Sequence, residues 1–210
     1  MPSTSDEAAS TPQPKAAPIR AGFGGRAAYP LGMARHVVLL RGINIGPRNR
    51  IAMGELREAL DEAGFKDVKT YLQSGNVVLG STAKPESVGR KVDRLIKDRF
   101  GLEIAVVVRS RAELARIVKR NPHAKVAKDP KRYQVTFLSA KLSAKVVREL
   151  EDAAAESDQV VVAGREVYAW HPKTIARSKL WNQLAGKKLG VTATSRNWAT
   201  VEALLELAGE

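Results

Sequence analysis

The chain has no cysteine in its 210 residues. Disulfides, zinc–thiolate sites and thiol nucleophiles are thereby excluded, and a reducing cytoplasm suits such a sequence. Aromatic residues make up only 5%, which leaves few platforms for stacking unpaired bases. No stretch approaches the roughly 18 consecutive apolar residues that a membrane span needs, and the N-terminus has no apolar centre of a secretory signal. A cytoplasmic protein with no membrane partner is the expectation. His36, His123 and His171 lack the H-x-x-x-H and H-x-x-E-H spacings, so no metal site is expected. Acidic residues lie mostly beside Lys or Arg at helical spacing, as in solvated pairs, and no isolated carboxylate pair stands out for acid–base work. No cofactor is expected either.

Negative charge is also short. Lys and Arg number 35 against 22 Asp and Glu, a formal net charge of +13. About +2 falls in residues 1–35, +7 in 36–122 and +4 in 123–210, so the excess is not a basic tail. Such a balance suits a polyanionic partner, because Lys and Arg neutralise phosphates and release counterions. A compositional bias with no partner at all explains the same number.

Residues 1–34 are rich in Pro, Gly, Ser and Ala without any period. Too little apolar surface is present to offset the entropy of ordering, so a disordered extension is expected there. Met33, immediately before the first strand, is a candidate natural start, which intact mass of the natively expressed protein would decide.

From His36 the punctuation is regular. Strand character over His36–Leu40 is followed by a helical pattern at Glu55–Ala63, stopped by Gly64. Val68–Leu72 and Asn76–Leu79 flank a short turn and read as a hairpin. Pro85 opens a helix to Phe100, and Ile104–Val108 reads as a buried strand. Ser110-Arg111-Ala112-Glu113 is a capping box for a connecting helix that ends at Asn121-Pro122. The second half repeats the order more loosely: strand Arg132–Leu138, helix Ser143–Ala155, hairpin Gln159–Ala163 with Glu166–Trp170, helix Ile175–Lys187, strand Val191–Thr194, helix Asn197–Leu207. The expected fold is α+β, two tandem ferredoxin-like (βαββαβ) α/β-plait domains with an extra C-terminal helix. The expected domains are 35–122 and 123–210, with no residue-by-residue repeat between them.

Four polar stretches are candidates for chemistry. Arg41–Arg50 joins a strand to a helix through Gly42 and Gly46, a layout that aims N–H groups at an anion. It is neither G-x-x-x-x-G-K-[ST] nor G-x-G-x-x-G, so nucleotide-loop readings fall away. A structural turn in which Asn44 bonds its own backbone, an anion site at Arg41, Arg48 and Arg50, and a catalytic loop all stay open. Ser74 and Asn76 sit at a hairpin tip, where a turn role competes with ligand contact. Arg177, Ser178 and Lys179 fall at a helix start, where the dipole favours an anion; solvated cations over a core helix are the plainer account. Arg196 precedes the last helix, which Ser195 or Asn197 can cap, and a cation there is mildly misplaced unless an anion is present. The aromatic pairs Tyr168 with Trp170 and Tyr133 with Phe137 fit core packing better than base stacking, since the RRM signature is missing.

Side by side, "LLRGINIG", "YLQSGNVVL", "ARSKL" and "KKLGVTATSRNWATV" resemble the signature blocks of the domain-of-unknown-function family 1697, in family order over about residues 36–208. The resemblance implies two tandem α/β-plait domains and a mostly bacterial, cytoplasmic distribution. It implies no established activity. Pro47-Arg48 departs from the Gly or Lys that the family often carries there.

The functional expectation is a non-enzymatic cytoplasmic module that binds phosphate-bearing ligands, including nucleic acid. Its residues would be Arg41, Asn44, Arg48, Ser74, Asn76, Arg177, Ser178, Lys179, Arg196 and Asn197, provided the four blocks converge. The alternatives are an enzyme of unrecognised type acting on a small anionic metabolite in an interdomain cleft, and a structural dimer module.

Overall fold

The computed structural model describes residues 32–154, 157–186 and 188–209. The extension expected over 1–34 lies, up to residue 31, outside the described residues, as do the expected helix ends at Ala155 and Lys187. In the first half β1 (Ala34–Leu40), α1 (Met53–Glu62), β2 (Lys66–Tyr71), β3 (Asn76–Ser81), α2 (Pro85–Phe100) and β4 (Val106–Ser110) follow one another, and α3 (Arg111–Arg120) leads on. The second half runs β5 (Tyr133–Leu138), α4 (Ala144–Ala154), β6 (Gln159–Ala163), β7 (Glu166–Trp170), α5 (Lys179–Ala185), β8 (Ala193–Asn197) and α6 (Trp198–Leu207). The described strands form two four-stranded sheets, ordered β2-β3-β1-β4 and β6-β7-β5-β8, and every pair is antiparallel.

Local signals account for most boundaries. Pro85 supplies a helical φ at N1 of α2, and Gly101 closes it with φ 65°. Ser110 and Glu113 make the expected reciprocal cap of α3. Several strand ends shift by about two residues, as in β4, which runs Val106–Ser110 rather than Ile104–Val108, and two elements differ further. α5 begins at Lys179 rather than Ile175, because the Ser178 hydroxyl caps it by accepting from Trp181 N–H. β8 starts later than Val191 and continues to Asn197, since its pairing with β5 runs from Ala193 to Asn197.

Both faces of each sheet are covered. In β1, Val38 and Leu40 pack with Leu56 and Leu60 of α1 and Val88, Val92 and Ile96 of α2, while Val37 and Leu39 point to a second core. That second core joins the halves: Tyr133, Val135, Phe137, Tyr168 and Trp170 of the second sheet meet Val37, Leu39, Val78 and Val107 of the first, along with α3 and α6. A third core lies between the second sheet and α4 and α5, around Leu138, Leu150, Leu180 and Leu184. The aromatic stripes are therefore inside, and Tyr133 stacks on Trp198 at 4.7 Å.

The two halves repeat one strand-pairing register, although the residues at matched positions mostly differ. Val37 pairs with Arg109 across β1 and β4, as Val135 pairs with Arg196 across β5 and β8. Leu39 opposes Asn76 and Phe137 opposes Glu166 in the same way. Each of these arginines precedes the residue that caps the next helix, Ser110 for α3 and Asn197 for α6. The two halves thus superpose in register, and the inner core relates them as a pseudo-two-fold pair.

Candidate functional site

The repeated arginines reach across the seam in opposite directions. Arg109 is 1% exposed. It donates from Nε to Glu166 Oε1 (2.9 Å), from Nη2 to the carbonyls of Leu138 (2.8 Å) and Arg165 (3.1 Å), and from Nη1 to its neighbour Val108 (3.0 Å). Arg165 in turn donates to Glu113 at 2.7 Å. Burial pushes the Arg109 guanidinium down, and the Glu166 carboxylate opposes that.

Arg196, 8% exposed, makes the mirror set of contacts. Its Nε donates to Asn76 Oδ1 and its Nη2 to the carbonyls of Leu40 (2.8 Å), Ser74 (3.0 Å) and Gly75 (3.2 Å). Nη1 donates to Thr194 Oγ1 and the Ser195 carbonyl, both at 2.8 Å. All these acceptors are neutral. Where Arg109 meets the Glu166 carboxylate, Arg196 meets the Asn76 amide, so its charge rests on carbonyl and hydroxyl dipoles. Burial pushes it down to about 10, and at neutral pH it remains a cation.

This arrangement brings three of the four polar stretches together. Asn76 is fully buried, donating from Nδ2 to the Tyr71 carbonyl and to Ser74 Oγ at 3.0 Å each. Gly75, at φ 75°, has no room for a side chain: a Cβ there would lie 2.7 Å from Leu40 Cβ. Asn44, at φ 55°, accepts from Ile51 N–H (3.0 Å) and donates to the carbonyls of Ile51 and Gln73 (2.9 Å each). It thereby locks the β1–α1 loop onto the β2–β3 turn. Arg41 donates to the Ala185 and Gly186 carbonyls at the C-terminal end of α5 (3.1 and 3.0 Å), where a cation suits the helix dipole.

The third stretch stands apart. Ser178 and Lys179 open α5, and seven residues at 1.5 Å rise put them about 10 Å from the end that Arg41 holds. Arg177 and Lys179 are exposed there, on a depression shared with Lys173 and Asp158. Ser178 Oγ donates to Asp158 Oδ2 (2.5 Å), and the buried His171 places Nδ1 3.2 Å from the same oxygen. The carboxylate sits between hydroxyl and imidazole, so the histidine cannot take the serine proton as a nucleophilic triad requires. Asn197 Oδ1 accepts from Thr200 N–H and caps α6.

What stays outward is the rim of the first unit. Arg48 and Arg50 are exposed and have no side-chain partner among the described residues. Ile45 and Leu72, at 72% and 57%, are two of the three large apolar residues most exposed among those described. Leu72 has φ 56°, a left-handed conformation that costs a branched non-glycine residue about 1 kcal/mol or more. The pseudo-two-fold relation shows how much this rim is enlarged. Twelve residues (41–52) join β1 to α1 where five (139–143) join β5 to α4, and the β2–β3 turn has four residues (72–75) against two (164–165).

At the opposite end of the seam a cleft of about 360 Å³ lies between α2, the edge strand β4 and the second unit. Arg90 and Arg165 line it with Ser139 and Thr192, but so do Glu86 and Asp93. An interdomain cleft was expected for the enzyme alternative, but the residues that line it and the Arg109 clamp were not. The signal for them was the shared pattern of strand, arginine, cap and helix in Val106–Ser110 and Ala193–Asn197. Among the described residues no three His, Asp or Glu side chains come together, and no helix is long and apolar enough to cross a membrane.

Fold and seam define an α+β protein of two pseudo-equivalent sheet units fused across a shared core. The chain belongs to the family described as "Protein of unknown function (DUF1697)", whose model matches residues 33–168. Among solved structures it is similar to the conserved bacterial protein SP0830 from Streptococcus pneumoniae, with a TM-score of 0.70 and 20% identity, covering 84% of this chain and 99% of that one. That likeness concerns the fold. Among curated proteins no sequence match was found.

Proposed function

We propose that each unit is a ferredoxin-like plait, divided near Pro122 and His123, and that the pair forms a non-enzymatic, cytoplasmic polyanion-binding module whose ligand is nucleic acid. The fold assignment is supported by the order β1-α1-β2-β3-α2-β4 with strand order β2-β3-β1-β4, repeated in the second unit. The functional reading rests on one observation: a loop pinned by Asn44 carries Arg48 and Arg50, both exposed, above the buried Arg196 that no carboxylate neutralises. Pinning lowers the entropy lost on binding, and clustered guanidinium groups match phosphate oxygens. Arg177 and Lys179 add cations at the start of α5, about 10 Å from the end that Arg41 holds. That separation suits a long polyanion better than one small phosphate, which side chains must approach to about 3 Å. Asn44, Ser74, Asn76, Ser178, Arg196 and Asn197 act on this surface by holding its loops and helices in place.

A second reading has the interdomain cleft in its favour, as the site of an enzyme acting on a small anionic metabolite. The acids there offset the arginines, so the cleft has little net pull on an anion.

Fluorescence anisotropy on a short labelled duplex separates the two. The wild type is expected to bind at low salt with an affinity that falls steeply as salt rises. Arg48→Glu with Arg50→Glu should weaken binding about tenfold or more and reduce the salt slope by about 2. Binding that ignores salt or these two charges sinks the reading. A thermal shift produced by one small metabolite, and removed by Arg90→Ala, would choose the cleft.

A further inference from the structure

We infer that Ile45 and Leu72 are a pair of apolar wedges with which this rim enters and bends duplex nucleic acid. The inference rests on the polyanion reading above and adds the form of the partner and what happens to it. Ile45 and Leu72 come from different loops, the β1–α1 connection and the β2–β3 turn, yet the Asn44 side chain bonds the carbonyl of Gln73 and ties those loops together at 2.9 Å. Two of the most exposed apolar side chains among the described residues thus stand on loops fixed to one another. Each follows or occupies a left-handed position, Asn44 at φ 55° and Leu72 itself at φ 56°.

Such a turn is most easily made with glycine or asparagine at the left-handed position. A leucine there gains nothing from the core, because it points outward. The second unit provides the comparison: its corresponding turn is two residues long and its corresponding loop five, and neither carries an exposed large apolar side chain among the described residues. The enlargement and the outward apolar residues occur at the same place in one unit only.

Charge selects the occupant. The loop that carries Ile45 also carries the exposed Arg48 and Arg50, while Arg41 is held by α5, and no acidic residue lies between positions 41 and 54, so the partner is anionic. Both exposed cations are arginines, the residue whose planar fork matches phosphate and enters narrow minor grooves. Single strands are recognised mainly by stacking on aromatics, yet the aromatic stripes of this protein are consumed by the inner core. A lipid surface calls for a broad apolar helix face, whereas here two side chains stand on pinned turns. A duplex is what remains. Proteins that bend it insert Ile, Leu or Pro between base steps beside cationic side chains, kinking it by about 20–90°, and Pro47 is exposed in the same loop.

The test uses the full chain and a duplex of about 25 bp with donor and acceptor dyes at its ends. Energy transfer is expected to rise when wild type binds. The variant Ile45→Ser with Leu72→Asn, whose asparagine keeps the left-handed turn, should retain the salt slope within about 1 and lose the rise. Ile45→Met with Leu72→Met should restore it, and thermal melting verifies that all three proteins fold. Salt-dependent binding without a rise, or a rise unchanged in the Ser/Asn variant, overturns the wedges and leaves the polyanion reading intact. Absence of duplex binding at low salt overturns both. Binding to phosphatidylserine vesicles that the Ser/Asn variant loses, with no bending of duplex, replaces the duplex with a lipid surface.

Discussion

Arg109 and Arg196 occupy equivalent positions and donate to equivalent carbonyls, yet their removal should differ. Arg109→Met leaves the Glu166 carboxylate, at 16% exposure, beside two carbonyls that have lost a donor. Breaking a buried pair in this way costs about 3–5 kcal/mol, because the stranded charge is not compensated. Arg196→Met leaves only neutral acceptors. The Gly75 carbonyl still accepts from Leu40 N–H, and the Leu40 carbonyl still accepts from Thr194 Oγ1. The change also removes a buried charge, so the expected loss is smaller, about 2–3 kcal/mol. Urea unfolding of the two variants should show this order, and Glu166→Gln added to Arg109→Met should recover part of the larger loss. Equal losses would mean that the Asn76 and Glu166 ends of the seam are electrostatically alike. Neither role was visible in the sequence, where Arg196 read as a cation facing a helix N-terminus. Its side chain instead turns back along the seam to carbonyls supplied from about 120 residues away, and no local pattern encodes such a partner.

Among elements, legibility followed locality. α2 and the β6–β7 hairpin matched expectation residue for residue, because Pro85, Gly101 and the Gly164-Arg165 turn mark their ends within the chain itself. α5 and β8 were misplaced by up to four residues because their limits are set from elsewhere: Asp158 engages the Ser178 cap, and β5 sets the reach of β8. The capping assignments separate structure from recognition at two candidate residues. Asn197→Ala removes the Oδ1 acceptor of Thr200 N–H at the start of α6 and should cost about 1 kcal/mol of stability. Since α6 packs on the inner core through Val201 and Leu204, the loss should appear as a lower urea midpoint with an unchanged slope. Duplex affinity at a temperature where the variant is folded should stay within about twofold of wild type. A drop in affinity with no drop in stability would return Asn197 to the ligand surface.

At the scale of the whole molecule, packing both faces of two sheets has consumed every histidine. His36, His123 and His171 are at most 5% exposed, and in each the pKa is lowered from 6.5 chiefly by burial. For His36 the nearby Ser81 and Ala83 backbone opposes the shift, and for His171 the Asp158 carboxylate does. The sign of the linkage follows directly. Below 6.5 the unfolded chain takes up protons that the folded chain refuses, so stability rises with pH across that window. The full contribution is present above pH 6.5 and is lost as pH falls from there through the lowered folded values. Every unit of lowering is worth about 1.4 kcal/mol per histidine. Thermal melts should therefore decline between pH 7.5 and 5, a range in which carboxylates of ordinary pKa remain mostly charged. His36 lies in β1, the strand that joins β3 to β4, with both ring nitrogens lacking a hydrogen-bond partner of good geometry, so His36→Leu removes a titrating group while stranding no charge. It should flatten that decline. His171→Leu should flatten it less, because protonated His171 gains the Asp158 carboxylate at 3.2 Å and so gives up less stability on acidification. Melting temperatures that do not change between pH 7.5 and 5 would show that the interior admits charged imidazole, contrary to the dry packing of the sheets.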